Sequence, residues 1–230
     1  MRSRCSSVPP TVPRPTQTPP SLRLPSRSIA RSDCLPRVPW KNGAGTTREV
    51  AVFPASADPT FWWRISVADI CEDADFSTFA GADRHFVVVS PGSLHLDVDG
   101  NRRNVPHYQP EAFPGEAQVS VKLVTGPTTA INLITDRSTC AGAIDVQHLD
   151  GHLIPHPKAV ALVLLAGSAW TNDGLHLRPL DVLMFGAEGE RILFKKAVIA
   201  TVSVWALPSV GDGRKLSHYA GLASSGRCNT

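Results

Sequence analysis

At 230 residues and 42% hydrophobic composition, the chain is long enough for one domain with a sizeable core or for two small halves. Its formal charge of +3 misleads, because residues 1–32 hold six arginines and no acid, which leaves residues 33–230 at −3 and residues 33–210 at −5. A mildly acidic body excludes the basic face that nucleic-acid binding needs. No apolar run approaches the roughly 20 residues that cross a bilayer as a helix, so neither a nucleic-acid nor a membrane partner is expected.

Residues 1–26 are rich in Pro, Ser and Arg and are expected to be a disordered extension. They lack the apolar stretch of a secretory signal. Their Arg/Ser bias resembles a transit peptide, but seven prolines between Pro9 and Pro25 oppose the helix such a peptide forms. The five cysteines (Cys5, Cys34, Cys71, Cys140 and Cys228) are odd in number and form no Cys-x-x-Cys pair, which points to a reducing, cytoplasmic compartment. The folded domain is expected over 27–208, with approximate halves 27–140 and 141–208 and a flexible tail over 209–230.

The first dense polar segment runs from Pro39 to Glu49 and carries Trp40, Lys41, Asn42, Gly43, Gly45, two threonines and Glu49 without helical or strand period. Gly43 and Gly45 allow positive φ and close approach of a ligand to the backbone. Successive N–H groups there, with Lys41, would make an anion site; the bland alternative is a polar turn. Residues 61–69 alternate as a strand, with Trp63, Ile65 and Val67 on one face and Arg64, Ser66 and Ala68 on the other. A guanidinium on so apolar a strand needs a carboxylate, either from a ligand or from Glu49, Asp69 or Asp83. Short helical turns are expected around Phe76–Phe79 and in the apolar tract before Gly167. Apolar runs or alternations at 86–89, 94–98 and 119–123 read as strands, and Asp99-Gly100 reads as a hairpin turn. Asn132 sits alone in the apolar strand 131–137 and must find hydrogen-bond partners. Residues 86–100 are echoed by 162–174, with Gly92 and Gly167 in matching places. A repeat of that size suits two small barrels.

Metal chemistry finds little support. No His-x-His pair occurs. His95 and Asp97 alternate with inward Leu94, Leu96 and Val98. Gly151, Pro155 and Pro157 oppose a helix that would bring His148, His152 and His156 together. No Walker loop, dinucleotide fingerprint or nucleophile elbow is present.

Taken in order, Pro39 to Glu49, Trp63-Arg64-Ile65-Ser66-Val67-Ala68, Phe76-Ser77-Thr78-Phe79 through Asp83-Arg84, and Gly126-Pro127 followed by Asn132-Leu133 resemble the HutD/Ves family over about residues 28–206. The resemblance implies an all-β, cupin-like fold, here a bicupin of two barrel or jelly-roll halves with few short helices. It also implies an association with histidine degradation, which would make urocanate or formylglutamate candidate ligands. Asp136-Arg137 stands where that family often has paired basic residues.

The expected function is that of a cofactor-free, metal-free protein binding a small carboxylate in the first barrel, as a metabolite sensor or buffer. Lys41 and Arg64 would hold the carboxylate. Asn42, Ser66 and Asn132 would read amide or hydroxyl groups, with Gly43 and Gly45 presenting backbone. Arg84 would be a second cation or a brace, and Trp40 and Trp63 apolar walls. The alternatives are a cupin-type isomerase or hydrolase with Glu49 as base beside Lys41, and a structural interaction module. An outer barrel strand also leaves a homodimer open. The metal-free expectation is checked by chelation: EDTA should change neither the melting temperature nor carboxylate affinity, and stoichiometric zinc, iron or manganese in purified protein would overturn it.

Overall fold

The computed structural model describes residues 22, 26–54, 61–90, 92–186 and 190–208. In chain order the strands are β1 (Ser28–Ala30), β2 (Val38–Pro39), β3 (Gly45–Phe53), β4 (Trp63–Ile70), β5 (Ala74–Asp75), β6 (Ala82–Val88), β7 (Ser93–Val98) and β8 (Asn101–Pro106). They continue with β9 (Pro110–Pro114), β10 (Val119–Leu123), β11 (Thr128–Asp136), β12 (Cys140–Leu153), β13 (Ala159–Trp170), β14 (His176–Leu177), β15 (Val182–Met184) and β16 (Ile192–Ala206). The one helical element among the described residues is a 3-10 turn at Ser32–Cys34.

The strands form a six-stranded sheet ordered β2-β3-β4-β11-β6-β9, a four-stranded sheet ordered β5-β10-β7-β8, and a six-stranded sheet ordered β1-β15-β13-β16-β12 with β14 beside β13. Strand alternation decides which side chains meet between them. Trp63, Ile65, Ile131 and Leu133 face Ala161, Val163, Ala200 and Val202 in a core shared by the two six-stranded sheets. From the opposite face of the first sheet, Ile70, Phe86, Val88 and Ala130 meet Leu94, Leu96, Val119 and Val121 of the four-stranded sheet. The second half closes over Leu162, Leu164, Leu183, Phe194 and Ile199.

Several expectations are met in detail. Leu94 and Leu96 are fully buried, while His95 and Asp97 lie on the other face. Asp99 and Gly100 adopt φ of 50° and 83°, the left-handed pair that a two-residue type I′ hairpin requires between β7 and β8.

Others are corrected. Residues 76–79 form no helical turn, and the tract before Gly167 lies inside β13. β-branched and apolar residues there alternate between two cores, which only a strand allows. The internal echo is also realised unequally. Gly92 lies in the link between β6 and β7, whereas Gly167 sits within β13 at a register shift, where a Cβ would come within 2.2 Å of the Lys196 carbonyl oxygen. The division at residue 140 does not divide the sheets, because β1 pairs with β15 through Ser28–Met184, Ile29–Leu183 and Ala30–Val182.

The extension assigned to 1–26 also ends too late. Residues 1–21, 23–25 and the tail 209–230 lie outside the described residues, but Leu22 is buried in the core between the two six-stranded sheets. Its carbonyl accepts the Trp63 indole N–H at 2.9 Å. Arg27 next joins Glu190 and Asp173 at 3.1 and 3.0 Å. Deleting residues 1–26 should therefore destabilise the protein. Losing a buried leucine and the indole's partner costs about 2–3 kcal/mol, or roughly 4–12 °C in melting temperature for a domain of this size. A melting temperature unchanged by the deletion in calorimetry would refute the anchoring role of Leu22.

Candidate functional site

The register of the first six-stranded sheet assembles the site. One cross-strand row on its inner face reads Val52 (β3), Arg64 (β4), Ile134 (β11), Arg84 (β6) and Phe113 (β9). The adjacent row reads Glu49, Ser66, Asn132, Phe86 and Glu111. A register shift between Glu49 and Ala51 keeps Glu49 on this inner face while Val50 and Ala51 pack against the other core. Neighbouring strands lie about 4.8 Å apart, so the backbones of Arg64 and Arg84, two strands apart, stand about 10 Å from each other. Both side chains line one cavity of about 650 Å³.

Arg84 is the unusual group there. It is 7% exposed, on a strand covered by its neighbours. Its Nε and Nη2 both donate to Asn132 Oδ1, at 3.0 and 2.6 Å. Its guanidinium carbon lies 4.2 Å from the Phe76 ring centre and 5.8 Å from that of Phe113. Among the described residues no carboxylate pairs with it. Burial, with the like charge of Arg64 nearby, pulls its pKa from 12.5 down to about 9, which still leaves it charged at neutral pH.

Arg48, the other buried arginine on this sheet, shows how the fold ordinarily treats such a charge. Its Nη2 donates to Asp69 Oδ1 at 2.6 Å, and its Nη1 donates to the hydroxyl and carbonyl oxygens of Ser32. Arg84 has an amide oxygen and two aromatic faces instead of an acid. These soften desolvation but do not neutralise it.

Arg64 is a quarter exposed, and its Nε lies 3.0 Å from Glu49 Oε2, although the N–H is not aligned on that oxygen as a hydrogen bond. The pairing of Arg64 with Glu49 that the sequence left open is thus present, and Glu49 faces the cavity beside it. Lys41, Asn42, Ser66 and Asn132 also line the cavity. Asn42 is partly occupied, because its Oδ1 accepts the Ala44 N–H at 3.2 Å. Trp40 forms a wall. Its indole N–H donates to Thr47 Oγ1 at 2.8 Å and its ring meets Phe76 edge-on.

Three of the expected site residues are placed elsewhere. Trp63 is no wall of the cavity. It is fully buried on the opposite face of β4, stacked on Phe53. Alternation had put it opposite Arg64, so both side chains could not reach one pocket. Gly43 and Gly45 do not line the cavity either. Gly43 turns the chain at φ 76°, and its N–H donates to the Trp40 carbonyl. Gly45 opens β3 where a Cβ would meet the Asp69 carbonyl at 2.4 Å and the Trp40 ring at 3.2 Å. Its glycine serves strand contact and the seating of Trp40, not a nest of N–H groups. Phe76, Phe79 and Asp75, which sequence reasoning assigned no site role, also line the cavity. The Phe-Ser-x-Phe spacing was their only signal, and it has no strand or helix period to show where the rings point.

Among the described residues, no three His, Cys, Asp or Glu side chains cluster to hold a metal ion. Among those residues, no helix is long and apolar enough to cross a membrane.

The pattern of the HutD family matches residues 32–201. A Pseudomonas putida protein described as an uncharacterized 21.2 kDa protein in the hutC 3′ region is 34% identical over 165 residues, covering 71% of this chain and 81% of its own. The solved structure of HutD from Pseudomonas fluorescens SBW25 superposes with a TM-score of 0.67 at 30% identity, covering 80% of this chain and 100% of that one. A cupin 2 conserved barrel domain protein from Leptotrichia buccalis shares the fold alone, with a TM-score of 0.50 at 10% identity over 71% of this chain and 89% of that one. With its all-β, cupin-like architecture and a family match over most of its length, the chain belongs to the HutD family.

Proposed function

We propose that this protein binds a small organic carboxylate in the cavity of its first half and serves as a metabolite sensor or buffer. The observation that carries this reading is Arg84. It is a buried guanidinium at the cavity wall, held by an amide and two rings and matched by no acid among the described residues. A fold that provides Arg48 with Asp69 and, among the described residues, leaves Arg84 without a counterion keeps a place for an anion from outside. The planar fork of Arg84, with Asn132 beside it, suits a carboxylate better than a point anion. The apolar body of the ligand would lie against Phe76 and Trp40.

The grip therefore moves from Lys41 and Arg64, where sequence alone placed it, to Arg84. Lys41 is exposed at the mouth and Arg64 already faces Glu49. Two properties of relatives bear on the ligand. The P. fluorescens HutD structure is described in a formate condition, and formate is the simplest carboxylate. The P. putida relative lies in the hutC 3′ region, in keeping with ligands from histidine breakdown such as urocanate or formylglutamate. The free thiols of Cys34, Cys71 and Cys140 suit action in the cytoplasm. The enzyme reading paired Glu49 with Lys41, but Glu49 faces Arg64 instead, and no observation favours a reaction.

Arg84→Met tests the reading. Loss of a charged hydrogen-bonding group should weaken binding of urocanate or formylglutamate in calorimetric titration by about ten- to a hundredfold. The melting temperature should hold or rise, because an unpaired buried charge and its desolvation are removed. Unchanged affinity in Arg84→Met, or no saturable binding by any small carboxylate in the wild type, would overturn the proposal and favour an interaction module.

A further inference from the structure

Arg64 is the second guanidinium of the cavity row, and it is held less firmly than Arg84 or Arg48. Glu49 approaches it only at the Nε edge, at 3.0 Å, with the N–H not aligned on the oxygen. Among the described residues no hydrogen bond engages its Nη groups. The fork that grips a carboxylate through two parallel N–H bonds is therefore unused. The Glu49 side chain is 54% exposed and that of Arg64 25%. An ion pair so wet and so poorly aligned contributes little to stability.

Glu49 also has room to turn away. β2 covers β3 only at Thr46 and Thr47, so among the described strands β4 alone lies beside Glu49. Charge points the same way. Lys41 and Asp75, both exposed at the mouth, offset each other. Inside stand two guanidiniums and one carboxylate, and the charge of Arg64 adds to the burial that lowers the pKa of Arg84. With Glu49 turned to solvent, the interior holds two positive charges, which one dianion cancels.

Resting on the reading of Arg84 as an anion site, we infer that Arg64 is a second carboxylate subsite, held by Glu49 as an internal stand-in, and that a dicarboxylate binds by displacing Glu49, with one of its ends on each arginine. A monocarboxylate engages Arg84 and leaves the Glu49 pair in place. A dicarboxylate exchanges that misaligned pair for a forked one. Glu49 thus sets how much a second carboxylate gains. Formylglutamate, with two carboxylates, and urocanate, with one, exemplify the two modes.

The register sets the span. Arg64 and Arg84 share a cross-strand row with Ile134 between them, their backbones about 10 Å apart. Both side chains line the same cavity, so the two ends of one short aliphatic chain reach both. Ile134 between the arginines and Phe76 against Arg84 give its methylenes an apolar bed.

Succinate, glutarate and adipate, each titrated calorimetrically beside its monomethyl ester, isolate the second carboxylate at three lengths. Wild-type protein should bind the best-fitting diacid about tenfold tighter than its ester. In Glu49→Gln that advantage should widen by about another tenfold, because the internal competitor is gone. In the double variant Glu49→Gln/Arg64→Gln, which keeps the net charge of the lining, the advantage should vanish while the ester binds as in wild type. Equal affinity of diacid and ester in wild type at all three lengths would overturn the second subsite. So would a Glu49→Gln variant that strengthens diacid and ester equally, the mark of a general charge effect. In either case ester binding that is lost in Arg84→Met would leave the anion site standing. Failure of every diacid and ester to bind wild-type protein would remove the anion site and the second subsite together.

Discussion

In the pairing of β4, β11 and β6, Arg64, Ile134 and Arg84 stand abreast, and that register decides the face of every other side chain on these strands. Trp63, Ile65, Ile131, Leu133 and Val87 go to the core against the second half. Ser66, Asn132, Arg64 and Arg84 go to the cavity. A slip of one residue in β11 would carry Asn132 into the shared core and leave Arg84 without its acceptor. Core and site are thus two faces of one ladder, and the apolar face holds the polar one in place. Fully buried Trp63, anchored to the Leu22 carbonyl, fastens β4 from behind.

The two halves use similar strands for different ends. The interior of the second half is filled by Leu162, Leu164, Leu177, Phe194 and Ile199, all close to fully buried. Between the first sheet and the four-stranded sheet, apolar packing stops short, and a cavity of about 650 Å³ remains with charged walls. Maintaining that cavity opposes stability, since Arg84 is desolvated without an acid to answer it among the described residues. Arg48, three strands away and on the opposite face, shows that the same sheet can neutralise a buried guanidinium when structure alone is at stake. The contrast between the two arginines is what supports the proposal that the cavity is a binding site rather than a packing defect.

Much of this was legible in the chain itself. Alternation over 61–69 placed Trp63 and Arg64 on opposite faces, and the isolated Asn132 in an apolar strand signalled a polar partner. The partner proved to be Arg84. The Asp99-Gly100 turn and the inward Leu94 and Leu96 followed from period and backbone preference. The glycines misled. Gly43 and Gly45 mark a turn and a close strand contact, chemistry that resembles an anion loop because both need backbone without a Cβ. Leu22 was misread because one apolar residue within a Pro/Ser/Arg-rich stretch changes no composition window, yet it finds a hydrophobic slot beside Trp63.

The sequence by itself determined the all-β class, the strand faces and the set of polar residues available to a site, because these depend on local period and on residue type. Tertiary structure decided which of those residues meet. It joined β3 to β4 with a register shift that turns Glu49 toward Arg64, set β11 between β4 and β6 so that two arginines flank one cavity, and brought β1 across to β15. Pairing partners are distant in sequence, and the burial of a charge depends on every layer around it. Whether an arginine is braced by an acid or left waiting for one is a property of the assembled sheets.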